Sequence, residues 1–156
     1  MAISGALAET ALIKMSNAVV QVDIGGAGSA WANVESWANQ VTATRGEIPT
    51  SDDPTLDGGR HQTAGIQGKS KVEVTLLYTE TTTGPAYNLY TLLGTAVDVR
   101  WSKSGASGDL RYYTDNGILV SCTPPQYSAN DNGNTKITFA IECPGDIERE
   151  TMAGTT

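Results

Sequence analysis

Residues 71–113 show a strand pattern, a helix pattern and then two more strand patterns, and this order restricts the folds open to the chain. Apolar and polar residues alternate in 71–80, as expected for a strand that buries one face. The segments 97–101 and 110–114 alternate in the same way and are joined by a glycine-containing turn, which indicates a hairpin. One helix among several strands predicts a mainly β fold, a sandwich or barrel of two sheets with one flanking helix.

The helix, predicted over residues 84–94, has a start signal, an apolar stripe and a stop signal. Thr83 can cap its first turn, where Pro85 is tolerated because no backbone donor is needed there. Gly94 can end the helix in a left-handed conformation. The stripe, spaced as on one face of a helix, consists of Ala86, Leu89, Tyr90 and Leu93. This face should lie against a sheet.

The rest of the chain is interpreted mainly as strands. A first strand is predicted within 11–24, and 30–45 is interpreted as two short strands around a turn near 35–38. Alternation also predicts a strand at 118–122 and a last strand at 136–143, which ends at a Pro-Gly pair. These segments supply enough strands for two sheets.

The chain of 156 residues has the size of one domain, and we predict a single domain over 1–156. Residues 1–9 and 146–156 are expected to be flexible arms of that domain. No segment reaches the ~20 consecutive apolar residues that a membrane-spanning helix needs. The first residues also lack the basic start of a signal peptide. A chain that stays in the cytoplasm where it is made is therefore expected.

Residues 46–70 show no periodicity and are rich in Gly, Pro, Asp, Ser and Thr. A long loop without regular structure is predicted here, although its length exceeds that of an ordinary connection. Such a loop is either disordered or ordered by a partner, so one subunit of an assembly could reach its neighbour through it. A mobile surface loop of a monomer is the alternative.

No motif predicts catalysis or a cofactor. Gly68-Lys69-Ser70 looks like the end of a phosphate-binding loop, but Thr63 stands where that motif needs its first glycine, and a strand follows instead of a helix. A calcium-loop-like run at 53–58 lacks the bidentate Glu at its twelfth position. His61, the only histidine, lies in a loop that is poorly suited to hold a base beside a nucleophile. We therefore predict a protein that is not an enzyme and uses no cofactor or metal.

The two cysteines, Cys122 and Cys143, lie on predicted strands. A reducing cytoplasm favours two small buried thiols over a disulfide. A zinc site would need more ligands than two cysteines and one histidine provide.

Several segments carry a resemblance through their order and composition. They are the Trp31…Trp37 segment, the long loop, Tyr78-Thr79-Glu80-Thr81, Arg100-Trp101-Ser102 and Cys122-Thr123-Pro124-Pro125. Through them the chain resembles, over most of its length, the major tail tube proteins of long-tailed (siphovirus, lambda-like) bacteriophages.

The resemblance implies a structural protein that assembles with copies of itself. Members of that family are β-sandwiches with one flanking helix that form hexameric rings, and the rings stack into a hollow tube through which the phage genome is ejected. The implied partners are further copies of the chain and tape-measure, tail-end and baseplate proteins. DNA would pass through the lumen without specific binding, and no membrane would be involved. The implied location is the tail of the virion, after assembly in the host cytoplasm.

Candidate contact residues combine this resemblance with physical arguments. Aromatic side chains bury a large area, so Trp31 and Trp37 are expected at a subunit interface, whereas Trp101 fits the core. The family places a long loop between subunits and rings, a role that the resemblance gives to residues 47–69. The candidate interface residues are Trp31, Trp37, Pro49, Asp53, Leu56, Arg60, His61 and Ile66. The candidate lumen charges are Glu73, Glu80, Asp98 and Glu142.

The net charge of −7 bears on the same question. It argues against a nucleic-acid binder, whose affinity comes from basic side chains that neutralise phosphates. It suits a surface along which DNA slides, because like charges repel. Acidity for solubility alone is the alternative.

Two other functions remain open from the sequence. One is another tail component with the tube fold, such as a tail-end or baseplate ring protein. The other is a β-sandwich module that binds carbohydrate or a cell surface through exposed tryptophans.

Overall fold

Two antiparallel β-sheets face each other across an apolar core. The computed structural model describes residues 18–24, 31–129 and 133–153. The strands are β1 (Val19–Asp23), β2 (Trp31–Asn33), β3 (Ala38–Thr44), β4 (Thr50–Pro54), β5 (Arg60–Ala64), β6 (Ser70–Leu77), β7 (Asp98–Ser102), β8 (Leu110–Tyr113), β9 (Ile118–Cys122), β10 (Lys136–Cys143) and β11 (Glu148–Thr151). The single α-helix in this part of the chain, α1 (Pro85–Tyr90), lies between β6 and β7 in sequence.

The two main sheets have different widths. The five-stranded sheet has the order β11-β8-β7-β1-β2, and the four-stranded sheet has the order β3-β6-β10-β9. β4 and β5 form a separate two-stranded sheet. They lie between β3 and β6 along the chain, whereas β3 and β6 themselves are neighbours in the four-stranded sheet. The predicted fold class, mainly β with two packed sheets and one helix, is confirmed.

The core is built from the alternating apolar residues of the central strands. Val72, Val74 and Leu76 of β6 are buried, and so are Ile137, Phe139 and Ile141 of β10, which pairs with it. Val20 and Val22 of β1, Val99 of β7 and Leu119 of β9 also lie in the core, together with Val97, which precedes β7. The prediction of two short strands around a turn near 35–38 is also confirmed, since β2 and β3 flank that turn.

The helix is shorter than predicted. It begins at Pro85 after Gly84, whose position carries no side-chain cap, so the predicted cap by Thr83 is wrong. Ala86 and Leu89 are buried, whereas the other two residues of the predicted stripe, Tyr90 and Leu93, are exposed. The helix ends at Tyr90, with Thr91 as its C-cap, so the prediction that Gly94 ends it is wrong, although Gly94 does adopt the left-handed conformation with φ +83°.

Two segments predicted to lack regular structure form strands. Residues 46–70 are not an irregular loop, because they contain the β4–β5 hairpin. Residues 146–153 of the predicted C-terminal arm are ordered: β11 pairs with β8, and Arg111 of β8 forms an ion pair with Glu150. β10 is therefore not the last strand. Both segments are polar, so hydrophobic alternation did not mark them.

Some predictions fall outside the described residues. These are the arm at 1–9, the part of the first strand before residue 18, and residues 154–156 of the C-terminal arm. The described part of that strand is β1, in which Val20 and Val22 are buried and after which Ile24 is exposed.

Both cysteines are free thiols. Cys143 is buried and Cys122 is half-buried. Burial raises the pKa of the Cys143 thiol and raises that of Cys122 to about 11. Neither is therefore an activated thiolate. Over the residues that the structure describes, no helix is long and apolar enough to cross a membrane.

Candidate assembly surfaces

The β4–β5 hairpin and the two segments that lead into it, residues 46–68, form an arm (hereafter the arm) that leaves the sandwich. Every residue of β4 and β5 is exposed, and the two strands pair with each other. Extended strands rise about 3.4 Å per residue, so the arm can reach up to about 35 Å from its base. A two-stranded hairpin alone in water is at best marginally stable. Contact with another surface that covers the arm would therefore stabilise the hairpin.

Hydrogen bonds fix the base of the arm to the sandwich. The Gly46 amide donates to Ser70 Oγ at 2.9 Å, and the Ser70 hydroxyl donates to the Gly145 carbonyl at 2.5 Å. Gln67 Nε2 donates to the Gly46 carbonyl at 2.9 Å, and the Gly68 amide donates to the Glu47 carbonyl at 2.8 Å. The base of the arm is thus fixed to the sandwich, while β4 and β5 pair with each other and are exposed to solvent.

Polar pairs set the register of the hairpin. Arg60 Nη1 lies 2.9 Å from Asp52 Oδ2, and the Ser51 and Thr63 hydroxyls are 2.5 Å apart. Asp53 lies opposite His61 in the ladder. Cross-strand polar pairs of this kind stabilise a hairpin without an apolar face.

The calcium-loop-like run at 53–58 includes most of the turn that joins β4 to β5. The Thr55 hydroxyl donates to the Asp57 carboxylate, and this bond lowers the pKa of Asp57. The Gly59 amide donates to Asp57 Oδ1 at 3.1 Å, and Gly58 has φ +85°. The carboxylate therefore orders the turn. In the described part of the chain, no group of three or more His, Cys, Asp or Glu residues is placed to hold a metal ion.

Apolar residues stand exposed along the arm. Leu56 is fully exposed at the tip, Ile66 is 91% exposed near the base, and Ile48 is exposed on the opposite segment. Pro49 accepts a hydrogen bond from the Gly65 amide at 2.7 Å, which places it beside Ile66. Six of the eight candidate interface residues thus lie on one arm: Pro49, Asp53, Leu56, Arg60, His61 and Ile66.

The other two candidates, Trp31 and Trp37, lie on the sandwich. Trp31 is half-buried on β2, with the Arg100 guanidinium 4.2 Å from its ring centroid, a cation–π contact. Trp37 is 37% exposed in the turn that leads into β3. In the described residues, β3 pairs with β6 on one side only, so an exposed tryptophan adjoins an unpaired strand edge.

Glu73 and Glu142, two of the candidate lumen charges, share the solvent-facing side of the four-stranded sheet. Glu73 lies opposite Ala140, and Glu142 lies opposite Lys71. Lysines balance both carboxylates: Lys71 Nζ is 3.0 Å from Glu73, and Lys69 Nζ is 3.9 Å from Glu142. This side of the sheet is therefore nearly neutral rather than strongly acidic. Glu80 is exposed in the connection between β6 and α1.

Asp98 is an interior residue, which corrects its selection as a surface charge. It is 5% exposed, and its Oδ1 accepts hydrogen bonds from Thr114 Oγ1 at 2.9 Å and from the Gly117 amide at 2.7 Å. Burial raises its pKa, and the two hydrogen bonds oppose that rise. Alternation placed Asp98 on the outer side of β7 correctly, but the β8–β9 connection closes over it.

An open cleft, which the sequence did not predict, lies at one side of the sandwich. The edge strand β3 does not cover the inward side of β8, so Leu110 is 42% exposed and Tyr112 is 36% exposed. Trp101, predicted to be core, is only partly buried and stacks on Tyr112 with ring centroids 6.0 Å apart. A cleft of about 570 Å³ is lined by Trp101 and Tyr112 together with charged side chains such as Arg45, Asp146 and Glu148. Apolar residues at 110 and 112 alternate, but only the relative width of the two sheets shows that they are uncovered.

Three solved structures with the same fold come from tail-like particles. A chain of the PVC sheath–tube complex of an extracellular contractile injection system, in the extended state, matches with a TM-score of 0.70 at 12% identity, over 90% of this chain and 93% of that chain. The tube-terminating cap of the anti-feeding prophage matches with a TM-score of 0.70 at 12% identity, over 97% and 100%. A chain of the tail of an empty gene transfer agent particle, computed with C6 symmetry, matches with a TM-score of 0.56 at 12% identity, over 90% and 98%.

At these identities the similarity concerns the fold. No protein-family model matches the chain, and no curated protein matches it. The alignments nevertheless span nearly the whole of both chains. The chain has a tail-tube-like fold.

Proposed function

We propose that the chain is the subunit of a tail tube, which forms hexameric rings that stack into a hollow conduit for DNA during ejection, as the major tail tube proteins of long-tailed phages do. The fold supports a tube-forming tail component. The sixfold symmetry of the gene transfer agent tail supports a ring of six. The role is structural rather than catalytic. Its place is the virion tail, after assembly in the host cytoplasm, with tape-measure, tail-end and baseplate proteins as partners.

The observation that carries the proposal is the arm. It is rooted by hydrogen bonds, fully exposed along both strands, and tipped by an exposed leucine. Among the described residues, every residue of β4 and β5 stays exposed, so no other part of the sandwich covers the hairpin there. Contact with the next subunit or the next ring would bury Leu56 and Ile66 and stabilise the hairpin.

A ring needs a second, lateral contact whose rotation closes. The unpaired edge of β3, with Trp37 at its start, offers backbone hydrogen bonds and an aromatic anchor at one place. Pairing at this edge would extend the four-stranded sheet from one subunit to the next. The side of that sheet with Glu73 and Glu142 would then face the lumen.

The experiment is negative-stain electron microscopy of the purified protein over a concentration series. We expect rings and tubes from the natural chain. Leu56→Asp should abolish stacking and leave the thermal unfolding transition unchanged, because the arm lies outside the core. Tyr127→Asp, at an exposed aromatic residue away from the arm, is the matched control and should assemble normally. Normal tubes from Leu56→Asp would overturn the assigned role of the arm.

A terminator or baseplate ring of the same fold is the second candidate. It is favoured by the match to the anti-feeding prophage cap, which covers 97% of this chain at the same TM-score as the match to the sheath–tube complex. A terminator would form discrete rings that do not stack at any concentration. Tubes that lengthen with concentration would exclude this candidate.

A further inference from the structure

The connection at 114–117 joins β8 to β9 and contains an Asn-Gly pair in an uncommon backbone conformation. Asn116 is exposed and has φ +56°, and among the described residues it is the one non-glycine residue with a positive φ. Asn tolerates this left-handed region better than most residues, because its short polar side chain can form local hydrogen bonds. An Asn-Gly pair is also chemically reactive, since no side chain shields the backbone nitrogen of the glycine.

The reaction open to such a pair is deamidation. The backbone nitrogen of Gly117 loses its proton and attacks Cγ of Asn116, and the side-chain amide takes up a proton and leaves as ammonia. Water then opens the five-membered succinimide, which gives aspartate or isoaspartate at position 116. The reaction needs no oxidant, reductant or cofactor, and water is its co-reactant. It does require that the Gly117 nitrogen be free to lose its proton and to approach the side chain.

Hydrogen bonds restrain the Gly117 peptide group on both sides. Its N–H donates to Asp98 Oδ1 at 2.7 Å, and its carbonyl accepts from the Val97 amide at 3.0 Å. Asp98 Oδ1 also accepts from Thr114 Oγ1 at 2.9 Å, so both ends of the connection are tied to the start of β7. Loss of the Gly117 proton would place an anionic nitrogen beside this buried carboxylate, and like charges repel strongly where the dielectric constant is low.

The fold requires glycine at position 117. A Cβ there would lie 2.5 Å from the Val97 carbonyl oxygen, 2.7 Å from Asp98 Oδ1 and 2.8 Å from Cγ2 of Ile141. Any side chain would therefore push the connection away from β7 and from the core. The reactive pair cannot be removed by changing the glycine without disturbing the fold, so protection has to come from the hydrogen bond to Asp98.

We propose that Asn116 is a latent deamidation site, and that the buried Asp98 carboxylate keeps it unreactive by holding the Gly117 N–H. Deamidation would place a new carboxylate beside Asp115, and isoaspartate would add a methylene group to the backbone of the connection. Local opening of the connection, rather than unfolding of the whole sandwich, then sets the rate of modification. The inference concerns the single chain and does not depend on the proposed tube.

The test follows deamidation of Asn116 by peptide mapping and mass spectrometry in mildly alkaline buffer. The folded natural chain is compared with the same chain in concentrated urea, where the hydrogen bond to Asp98 is absent. We expect Asn116 to react roughly ten-fold more slowly, or slower still, in the folded chain. The second Asn-Gly pair of the sequence, Asn132-Gly133, should react at the same rate as Asn116 in urea and shows that the chemistry proceeds there.

Two substitutions separate the charge of Asp98 from its hydrogen bond. Asp98→Asn replaces the carboxylate with a neutral amide that still has an acceptor oxygen, so Asn116 should react a few-fold faster. Asp98→Ala removes the acceptor as well and should give the fastest reaction; if this variant does not fold, the rate in Asp98→Asn decides alone. Ile137→Val, which removes a buried methyl group at the end of β10 far from Ile141, is the control for lost stability and should leave the rate unchanged. Circular dichroism and a retained unfolding transition would show that each variant is folded.

The proposal is wrong if Asn116 reacts as fast in the folded natural chain as in urea. It is also wrong if folded Asp98→Asn protein reacts no faster than the natural chain. Equal acceleration in Ile137→Val and Asp98→Asn would likewise overturn it, since the overall stability of the sandwich, and not Asp98, would then be the source of the protection.

Discussion

At the scale of single residues, one ion pair joins the root of the arm to the sandwich. Arg45, which follows β3, donates through Nε to Asp146 Oδ1 at 2.7 Å, and its Nη2 contacts the second carboxylate oxygen. The Ile147 amide donates to the same carboxylate at 2.8 Å. The hydrogen bond from Arg45 is the main reason that the pKa of Asp146 falls to about 2.

This pKa shift predicts a pH-dependent contribution to stability. A carboxyl group whose folded pKa lies below its unfolded value of about 3.9 stabilises the fold above that pH. The contribution should be lost as the pH falls from about 4 to about 2. Arg45 is largely exposed, so the coupling is small even at its maximum. We expect a double-mutant cycle of Arg45→Ala and Asp146→Asn, measured by chemical unfolding, to show coupling at pH 6 and much less at pH 2, where the Asp146 carboxyl is about half protonated.

The control for this cycle is the pair of Arg60 and Asp52 on the arm. Arg60→Ala and Asp52→Asn should leave unfolding of the sandwich unchanged at both pH values, because the arm is not part of the core. Equal coupling of Arg45 and Asp146 at pH 6 and pH 2 would contradict the linkage argument.

At the scale of elements, the direction of the arm depends on a close backbone contact at its root. A Cβ added to Gly46 would lie 1.9 Å from the carbonyl oxygen of Gly68, so a side chain at 46 forces the two segments of the arm apart. Gly46→Ala should therefore redirect the arm and shorten or abolish tubes, as measured by electron microscopy. The unfolding temperature should change little, since the arm can move without disturbing the core.

Gly68→Ala is a matched control, because a Cβ there would meet only the Glu47 carbonyl oxygen at an ordinary 3.5 Å. It should assemble as the natural chain does. If both variants gave tubes of normal length, the angle of the arm would be irrelevant to assembly.

The same element shows how far the sequence predicts this structure. Strands that bury one face, such as β6 and β10, follow from their alternation, because burial selects apolar residues at every second position. The strands β4 and β5, Thr50–Pro54 and Arg60–Ala64, bury neither face. Their pairing rests on polar contacts such as that of Asp52 with Arg60, and these leave no periodic signal in one sequence. The arm was predicted as a contact segment, but not as a hairpin.

Burial of polar residues was equally hard to predict. Asp98 alternates like a surface residue, and only the placement of Thr114 and Gly117 from the next connection shows that its carboxylate is enclosed. Partners that lie 16 and 19 residues away along the chain are a tertiary property. The open cleft was missed for the same kind of reason, since it depends on two sheets of unequal width.

At the scale of the whole molecule, the chain has a net charge of −7, but the solvent-facing side of the four-stranded sheet is not acidic. On the proposed lumen side, Glu73 and Glu142 balance Lys71 and Lys69, and Lys136 lies on the same sheet. Neutralising the two carboxylates would leave this side basic, and basic side chains bind DNA by neutralising phosphates. The proposed lumen thus avoids DNA binding through two particular acidic residues rather than through the overall charge.

A prediction for the assembled tube follows from this balance. Tubes of Glu73→Gln with Glu142→Gln, formed in low salt with short duplex DNA, should co-sediment with DNA that is protected from nuclease, and the natural chain should retain none. Retention should fall steeply as salt rises, because phosphate binding releases counterions. The control is Asp115→Asn with Glu148→Gln, which removes two exposed carboxylates from the β8–β9 connection and from the edge strand β11. Any DNA that these control tubes bind should lie outside and be digested. Protected DNA in the control, or none in the lumen variant, would place Glu73 and Glu142 away from the bore, and the four-stranded sheet would then not line it.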